Sequence, residues 1–148
     1  GISMIKESFT REGMRPLEEV FAYVSDFRNN PKWQDGLEET KQSPDGPTAV
    51  GTKVTEVRMF LGQRMESVLD VTEFEPNKRL SFKSVGGPIQ FKSVQTFESI
   101  PGGTRSTMVF EAEPGGFFKL AEPMVASGMR KNIADSTAKL KATLEAKT

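Results

Sequence analysis

The fold is decided by the C-terminal stretch at residues 117–146, which reads FFKLAEPMVASGMRKNIADSTAKLKATLEA. After Pro123, which is expected to kink or restart the helix, one set of residues recurs at the three- and four-residue steps of a helix face. The members of this stripe are Val125, Met129, Ile133, Thr137, Leu140 and Leu144. A helix of this length extends about 40 Å, so its stripe needs a broad apolar surface to pack on.

The middle of the chain provides that surface as a series of predicted strands. Turns containing glycine, proline or asparagine separate segments rich in β-branched and aromatic residues, a pattern typical of antiparallel hairpins. The predicted strands cover residues 4–11, 37–42, 52–61, 64–74, 79–85, 89–100 and 104–113. Two short helices are predicted before the second strand, one from Arg15-Pro16 to Ser25-Asp26 and one from Asn30 to Asp35. The predicted fold class is α+β: one curved antiparallel sheet and one long helix, with a ligand space between them, in a single domain over residues 1–148.

Composition excludes several classes of function. The 148 residues contain 20 Lys and Arg and 20 Asp and Glu, and a net charge of zero argues against nucleic acid as a partner. Cysteine and histidine are both absent, which excludes disulfides, thiol catalysis and the commonest metal ligand, so we expect neither metal nor cofactor. No apolar run is long enough for a membrane span, and a cytoplasmic protein is expected. The sequence is compatible with a monomer or a homodimer. Residues Gly1–Ser3 are either native sequence or a cloning remnant.

The last hairpin predicts which residues face the helix. If Gly102-Gly103 is its two-residue loop, Gln95 faces Phe110, and the apolar residues of both strands fall on one side. That side, which we expect to meet the helix, carries Phe91, Ser93, Gln95, Phe97, Met108, Phe110 and Ala112.

The hairpin around Gly62-Gln63 is less cleanly divided between apolar and polar faces. The face with more apolar area also carries Glu56 and Arg58. If that face points inward, the two charges must pair, because burying either one alone would be costly.

Several short motifs occur in an order that points to a known family. They are RPLEEVFAYVSD at residues 15–26, NPKW at 30–33, GT at 51–52, VTEFEPNKRL at 71–80, FE at 97–98, GGTR at 102–105 and LKATLE at 140–145. In this order and spacing they resemble the SRPBCC superfamily, also called START-like, and within it the polyketide cyclase/dehydratase-type family. The resemblance implies a helix-grip fold: a seven-stranded sheet, two small helices, and a long C-terminal helix over the concave face. It also implies a hydrophobic cavity for lipids, polyketides or other apolar metabolites.

The residues expected to line such a cavity come from the inward sheet face, the second short helix and the helix stripe. They are Trp33, Phe60, Phe82, Phe91, Gln95, Phe97, Met108, Phe110, Val125, Met129 and Ile133. Methionine adapts to irregular ligands, whereas Gln95 adds a polar group that is unusual in a dry core. The first functional hypothesis is therefore binding of a small apolar, lipid- or polyketide-like molecule.

Two other hypotheses remain open. An enzyme of the cyclase or dehydratase class would need a positioned acid or base, for which Glu56 is the candidate base and Arg58 the group that stabilises an enolate. The simpler explanation of the same two residues is a structural ion pair, or two charges that reach water at the mouth of the cavity. A protein-interaction module is the third hypothesis. The segment around Phe118, Leu120 and Met124 could serve as a gate to the cavity or as a dimer contact.

Overall fold

One antiparallel sheet and a long C-terminal helix are formed by residues 5–13, 15–115 and 117–146, which the computed structural model describes. The strands are β1 (Ile5–Gly13), β2 (Leu37–Ser43), β3 (Lys53–Phe60), β4 (Gln63–Glu75), β5 (Arg79–Gly86), β6 (Ile89–Ile100) and β7 (Gly103–Pro114). The helices are α1 (Leu17–Ser25), a 3-10 helix (Phe27–Lys32), α2 (Phe117–Leu120) and α3 (Glu122–Glu145). The strand order is β1-β7-β6-β5-β4-β3-β2, which confirms the predicted seven-stranded helix-grip fold. Residues Gly1–Ser3 lie outside the described ranges.

The sheet bends at irregular positions in its ladder. The pairing of β4 with β5 shifts register at Val68/Leu69 and again at Val71/Glu73, and β2 shifts against β3 near Leu37. Such bulges kink a strand and increase its twist, which curves the sheet toward the helix.

The last hairpin turns at Pro101-Gly102, and the predicted Gly102-Gly103 loop is wrong by one residue. Proline followed by glycine suits a type II turn, and Gly102 has the positive φ of 83° that this turn requires. As a result Gln95 faces Met108 instead of the predicted Phe110, which is two residues away. Since the side-chain period of a strand is two, a shift of two leaves every side chain on its predicted face.

The hairpin between β3 and β4 also turns one residue earlier than predicted. Its loop is Leu61-Gly62, with φ angles of 50° and 74°, as a two-residue type I′ turn requires. The predicted face is nevertheless the buried one, and Glu56 points inward with only 4% of its surface exposed.

The short helix before β2 begins three residues earlier than predicted. It spans Phe27–Lys32, and the Asp26 side chain caps it by accepting a hydrogen bond from the Arg28 amide. Trp33 therefore follows this helix, where it is buried with 4% exposure.

The C-terminal helix is interrupted at Ala121, where α2 ends and α3 begins. Pro123 lies in the first turn of α3, where no helical hydrogen bond is lost because the first amides have no partner in any case. The interruption confirms the restart predicted from Pro123.

Two apolar clusters hold α3 at its two ends. The first packs α1 and the C-terminal end of α3 on the sheet, and its members include Phe21, Leu80, Phe97, Leu140 and Leu144. The second packs α2 and the N-terminal end of α3, and its members include Ile5, Phe60, Ile89, Phe118 and Val125. Ile133, midway along α3, belongs to neither cluster. The middle of the helix therefore spans a gap between two packed regions.

Candidate functional site

A cavity of about 140 Å³ fills the gap between the sheet and the middle of α3. Its wall combines residues from β1, α1, the 3-10 helix and the residues just after it, the inward faces of β3 to β7, and α3. The lining residues are Arg11, Val24, Phe27, Asn30, Trp33, Gln34, Glu56, Arg58, Phe60, Met65, Leu69, Leu80, Phe82, Ile89, Phe91, Gln95, Met108, Phe110, Met129, Asn132, Ile133, Ser136 and Thr137.

Aromatic rings form a continuous part of this wall. The ring of Phe91 stacks on Phe110 at a centroid distance of 5.6 Å and meets Phe82 edge-on at 6.3 Å. Phe82 in turn meets Phe27 edge-on at 5.5 Å. Offset and edge-to-face contacts of this kind are the favourable arrangements of aromatic rings, so these contacts stabilise the wall.

Most of the lining residues expected from the sequence do lie on the wall of the cavity. They are Trp33, Phe60, Phe82, Phe91, Gln95, Met108, Phe110, Met129 and Ile133. Whether they bind a ligand stays a prediction.

Phe97 and Val125, which were also expected at the cavity, are placed elsewhere. Phe97 is one position beyond the cavity along the inward face of β6 and packs edge-on against Phe21 of α1 at 5.1 Å. Val125 lies in the first turns of α3, fully buried in the second cluster. Both face the correct side of their element, but α1 and α2 cover that side at these two positions.

Glu56 and Arg58 meet at the cavity wall as an ion pair. A guanidinium nitrogen of Arg58 lies 3.0 Å from a carboxylate oxygen of Glu56, and it also donates to the Gln34 side-chain oxygen at 2.8 Å. The exposed fractions of the two side chains are 4% for Glu56 and 19% for Arg58. The sequence argument that two inward charges must pair thus agrees with the geometry, and Gln34 is an additional partner that it did not include.

Arg11 also lines the cavity, and the sequence reasoning missed it. Its guanidinium carbon lies 5.7 Å from the centre of the Trp33 ring, and a terminal nitrogen approaches the Met108 sulfur at 3.7 Å. Its Nε is buried without a hydrogen-bond partner among the described residues. Burial lowers the pKa of Arg11 from its ordinary value to about 10, so the group remains charged at neutral pH. The alternation of β1 was the available signal, because it places Arg11 on the same face as Ile5 and Phe9.

Further polar atoms of the wall lack partners in the described part of the chain. They are Asn30 Oδ1, Trp33 Nε1 and Gln95 Oε1, each on a residue that is at most 6% exposed. Buried polar groups are normally hydrogen-bonded, so these atoms are available to a bound molecule or to water.

Two polar residues of α3 have a structural explanation. The Ser136 hydroxyl accepts a hydrogen bond from the Asp35 amide at 2.9 Å, and the Asn132 side chain donates to the Asp35 carbonyl at 2.8 Å. These bonds tie the middle of α3 to the loop before β2.

A shallow depression lies on the other side of this tie. Its wall includes Gly36, Met59, Leu61 and Gly128, and it shares Phe60 and Asn132 with the cavity. Those two side chains therefore line both spaces.

The segment around α2 exposes two apolar side chains. Leu120 is 91% exposed and Met124 62% exposed, whereas Phe118 is buried in the second cluster. A gate or a dimer contact at this segment stays a prediction.

Within the described ranges, no three acidic side chains converge closely enough to hold a metal ion. The helices among those residues are too short or too polar to cross a membrane.

A curved sheet that grips a long helix around a cavity defines a START-like helix-grip protein. Solved structures share this fold. A START superfamily protein from Mycobacterium smegmatis has a TM-score of 0.80 at 17% identity, covering 97% of this chain and 99% of that one. A protein from Thermus thermophilus has a TM-score of 0.79 at 17% identity, covering 97% of this chain and 98% of that one. The di-domain ARO/CYC BexL from the BE-7585A biosynthetic pathway has a TM-score of 0.77 at 13% identity, and the match covers 98% of this chain but 51% of that protein.

The sequence places the chain within this class. Residues 4–145 match the family described as polyketide cyclase / dehydrase and lipid transport, and the chain belongs to that family. No curated protein sequence matches the chain.

Proposed function

We propose that this protein binds a small apolar molecule, lipid- or polyketide-like in character, in the cavity between the sheet and α3. The observation that carries the proposal is the unfilled, aromatic-lined space between two well-packed clusters. Protein interiors are normally packed as densely as organic crystals, so a space of this size lined by aromatic side chains is a place where an apolar molecule can bind.

The volume limits the size of the ligand. An apolar cavity of roughly 150 Å³ is large enough to hold a benzene molecule. The cavity here is about 140 Å³, so the fitting ligand has one ring, or two if the wall yields slightly. A long acyl chain would require the helix to move away from the sheet. The family description, which includes lipid transport and polyketide chemistry, supports an apolar ligand of this general kind.

A neutral fluorescent dye with one ring, 4-(dimethylamino)benzonitrile, tests the proposal because its size suits the cavity and its emission rises when it leaves water. We expect saturable binding by the wild type and at least about ten-fold weaker binding by Ile133→Trp, in which the indole fills the cavity. The matched control is Ala134→Trp, the neighbouring position on α3, whose side chain is exposed. Equal dye binding by wild type and Ile133→Trp would refute binding in the cavity. Native mass spectrometry of freshly purified protein would identify the natural occupant.

A second candidate function is catalysis of a cyclisation or dehydration. The observation that favours it is the placement of Glu56 and Arg58 together on the cavity wall. In that reaction the Glu56 carboxylate would remove a proton next to a ligand ketone, and Arg58 would stabilise the resulting enolate. The test is conversion of the co-purified ligand by wild type and by Glu56→Gln, followed by mass spectrometry for loss of water. A Glu56→Gln variant with full turnover would exclude this role.

A further inference from the structure

We propose that the ligand is a monocarboxylic acid whose carboxylate is held by Arg11 while its ring system lies among the phenylalanines of the cavity. This inference rests on the proposed function, since it names the chemical class of the ligand for the same cavity.

Arg11 differs from the other arginines of the chain in its partners. All eight arginines occupy described positions. Seven of them have a carboxylate oxygen within 4.0 Å: Arg15, Arg28, Arg58, Arg64, Arg79, Arg105 and Arg130. Among the described residues Arg11 has only the Met108 sulfur and the face of the Trp33 ring. A charged group in a cavity wall is costly unless it is paired. None of the described residues pairs a carboxylate with Arg11, so a carboxylate on the ligand can take that position.

The surroundings of Arg11 suit a carboxylate. A guanidinium presents parallel N–H donors that match the two oxygens of a carboxylate, and Trp33 Nε1 offers a further buried donor with no partner in the described chain. The Gln95 side-chain amide can present either its oxygen or its NH₂ group by a half-turn of its terminal bond. Gln95 is opposite Met108 in the ladder, and Met108 in turn contacts Arg11, so these groups lie in adjacent strands of the same face.

The charge of the cavity limits the ligand to a single negative charge. Its lining contains the cations Arg11 and Arg58 and the anion Glu56, and the last two neutralise each other. One uncompensated positive charge remains. A monoanion would balance it, whereas a dianion such as a phosphate monoester would leave one charge unpaired in an apolar space. The small volume adds the requirement that the rest of the molecule be compact and apolar.

The experiment displaces 4-(dimethylamino)benzonitrile at pH 7.5 with two competitors of nearly equal shape, 1-naphthoate and 1-naphthamide. We expect the wild type to bind the acid about ten-fold more tightly than the amide, the factor typical of one charge-assisted contact. Arg11→Met should bind both equally while still binding the dye, and Arg11→Lys should keep part of the preference. The matched control is Arg105→Met, which removes the same charge from an exposed arginine paired with Glu12 and Glu98, and it should behave as the wild type.

The outcomes separate the two proposals. Dye binding with equal affinity for acid and amide in the wild type would overturn the carboxylate inference and leave cavity binding intact. A preference that persists in Arg11→Met would overturn it as well, because the charge would then be recognised elsewhere. If neither the dye nor the naphthalene compounds bind, the proposed function fails and the inference fails with it. If Arg11→Met does not fold, Arg11→Gln replaces it, and an undiminished preference for the acid in that variant would overturn the inference in the same way.

Discussion

Replacing Arg58 by methionine is expected to lower the free energy of unfolding by about 3 kcal/mol, because it leaves the Glu56 carboxylate buried without its partner. Glu56 is only 4% exposed, and the Arg58 nitrogen lies 3.0 Å from its oxygen. Removing one member of a buried ion pair costs about 3–5 kcal/mol. We take the lower value because the Arg58 side chain is 19% exposed and the surrounding water weakens the attraction.

A double-mutant cycle separates the pair from its surroundings. Glu56→Leu together with Arg58→Met replaces both charges by apolar groups, and such replacements are often neutral or stabilising. We therefore expect the double variant to lie within about 1 kcal/mol of the wild type, and to be more stable than Arg58→Met alone. For a chain of this size, a loss of about 3 kcal/mol corresponds to a fall in Tm of about 6–12 °C.

Urea denaturation followed by the fluorescence of Trp33 is the assay, with circular dichroism as a second probe of the same transition. Arg64→Met is the matched control, since Arg64 pairs with Glu66 on the same hairpin at 3.4 Å but both side chains are more than half exposed. It should unfold at nearly the same urea concentration as the wild type. If Arg58→Met is as stable as Arg64→Met, or if the double variant is no more stable than Arg58→Met, the buried-pair reasoning is wrong.

Three other predictions address the core, the helix contact and acid stability. Phe97→Ala should lower the free energy of unfolding by about 3 kcal/mol, and the folded variant should bind the dye as the wild type does, because Phe97 packs in the first cluster. Phe110→Ala should weaken dye binding, because Phe110 lines the cavity. Urea curves measure the stability of both variants, and dye titrations measure their binding. Gly128→Leu should lower the free energy of unfolding by about 1–3 kcal/mol in the same urea assay, because a Cβ at this position would lie only 3.1 Å from the Leu61 side chain. An unchanged urea midpoint would contradict this close approach. The Ser81 hydroxyl donates to the Glu73 carboxylate at 2.8 Å and lowers the pKa of that carboxyl. The folded state therefore binds fewer protons than the unfolded state, and the stability that this bond supplies is lost as the pH falls through and below about 4.5. Ser81→Ala should therefore lose less stability than the wild type between about pH 5 and pH 3, and parallel pH curves for the two proteins would count against the contact.

The sequence by itself determined the elements and their faces, because both depend on local periodicity. The stripe from Val125 to Leu144 indicated the side of α3 that meets the sheet, and alternation indicated the inward faces of β3, β4, β6 and β7. These faces survived the two mistaken turns, since each strand repeats its side-chain direction every two residues and the final hairpin was shifted by two. Local patterns also placed Glu56 and Arg58 together on an inward face, where their opposite charges demanded pairing.

Only the tertiary structure decided which inward residues are core and which face a cavity. Phe97 and Gln95 lie on the same face of one strand, but α1 covers Phe97 and leaves Gln95 on the cavity wall. Likewise the alternation of β1 places Arg11 on the inward face, but only the tertiary structure shows that it faces a cavity, where Trp33 lies across from it. Burial and void volume depend on how separate elements meet in space, and no periodicity within a single element encodes that arrangement.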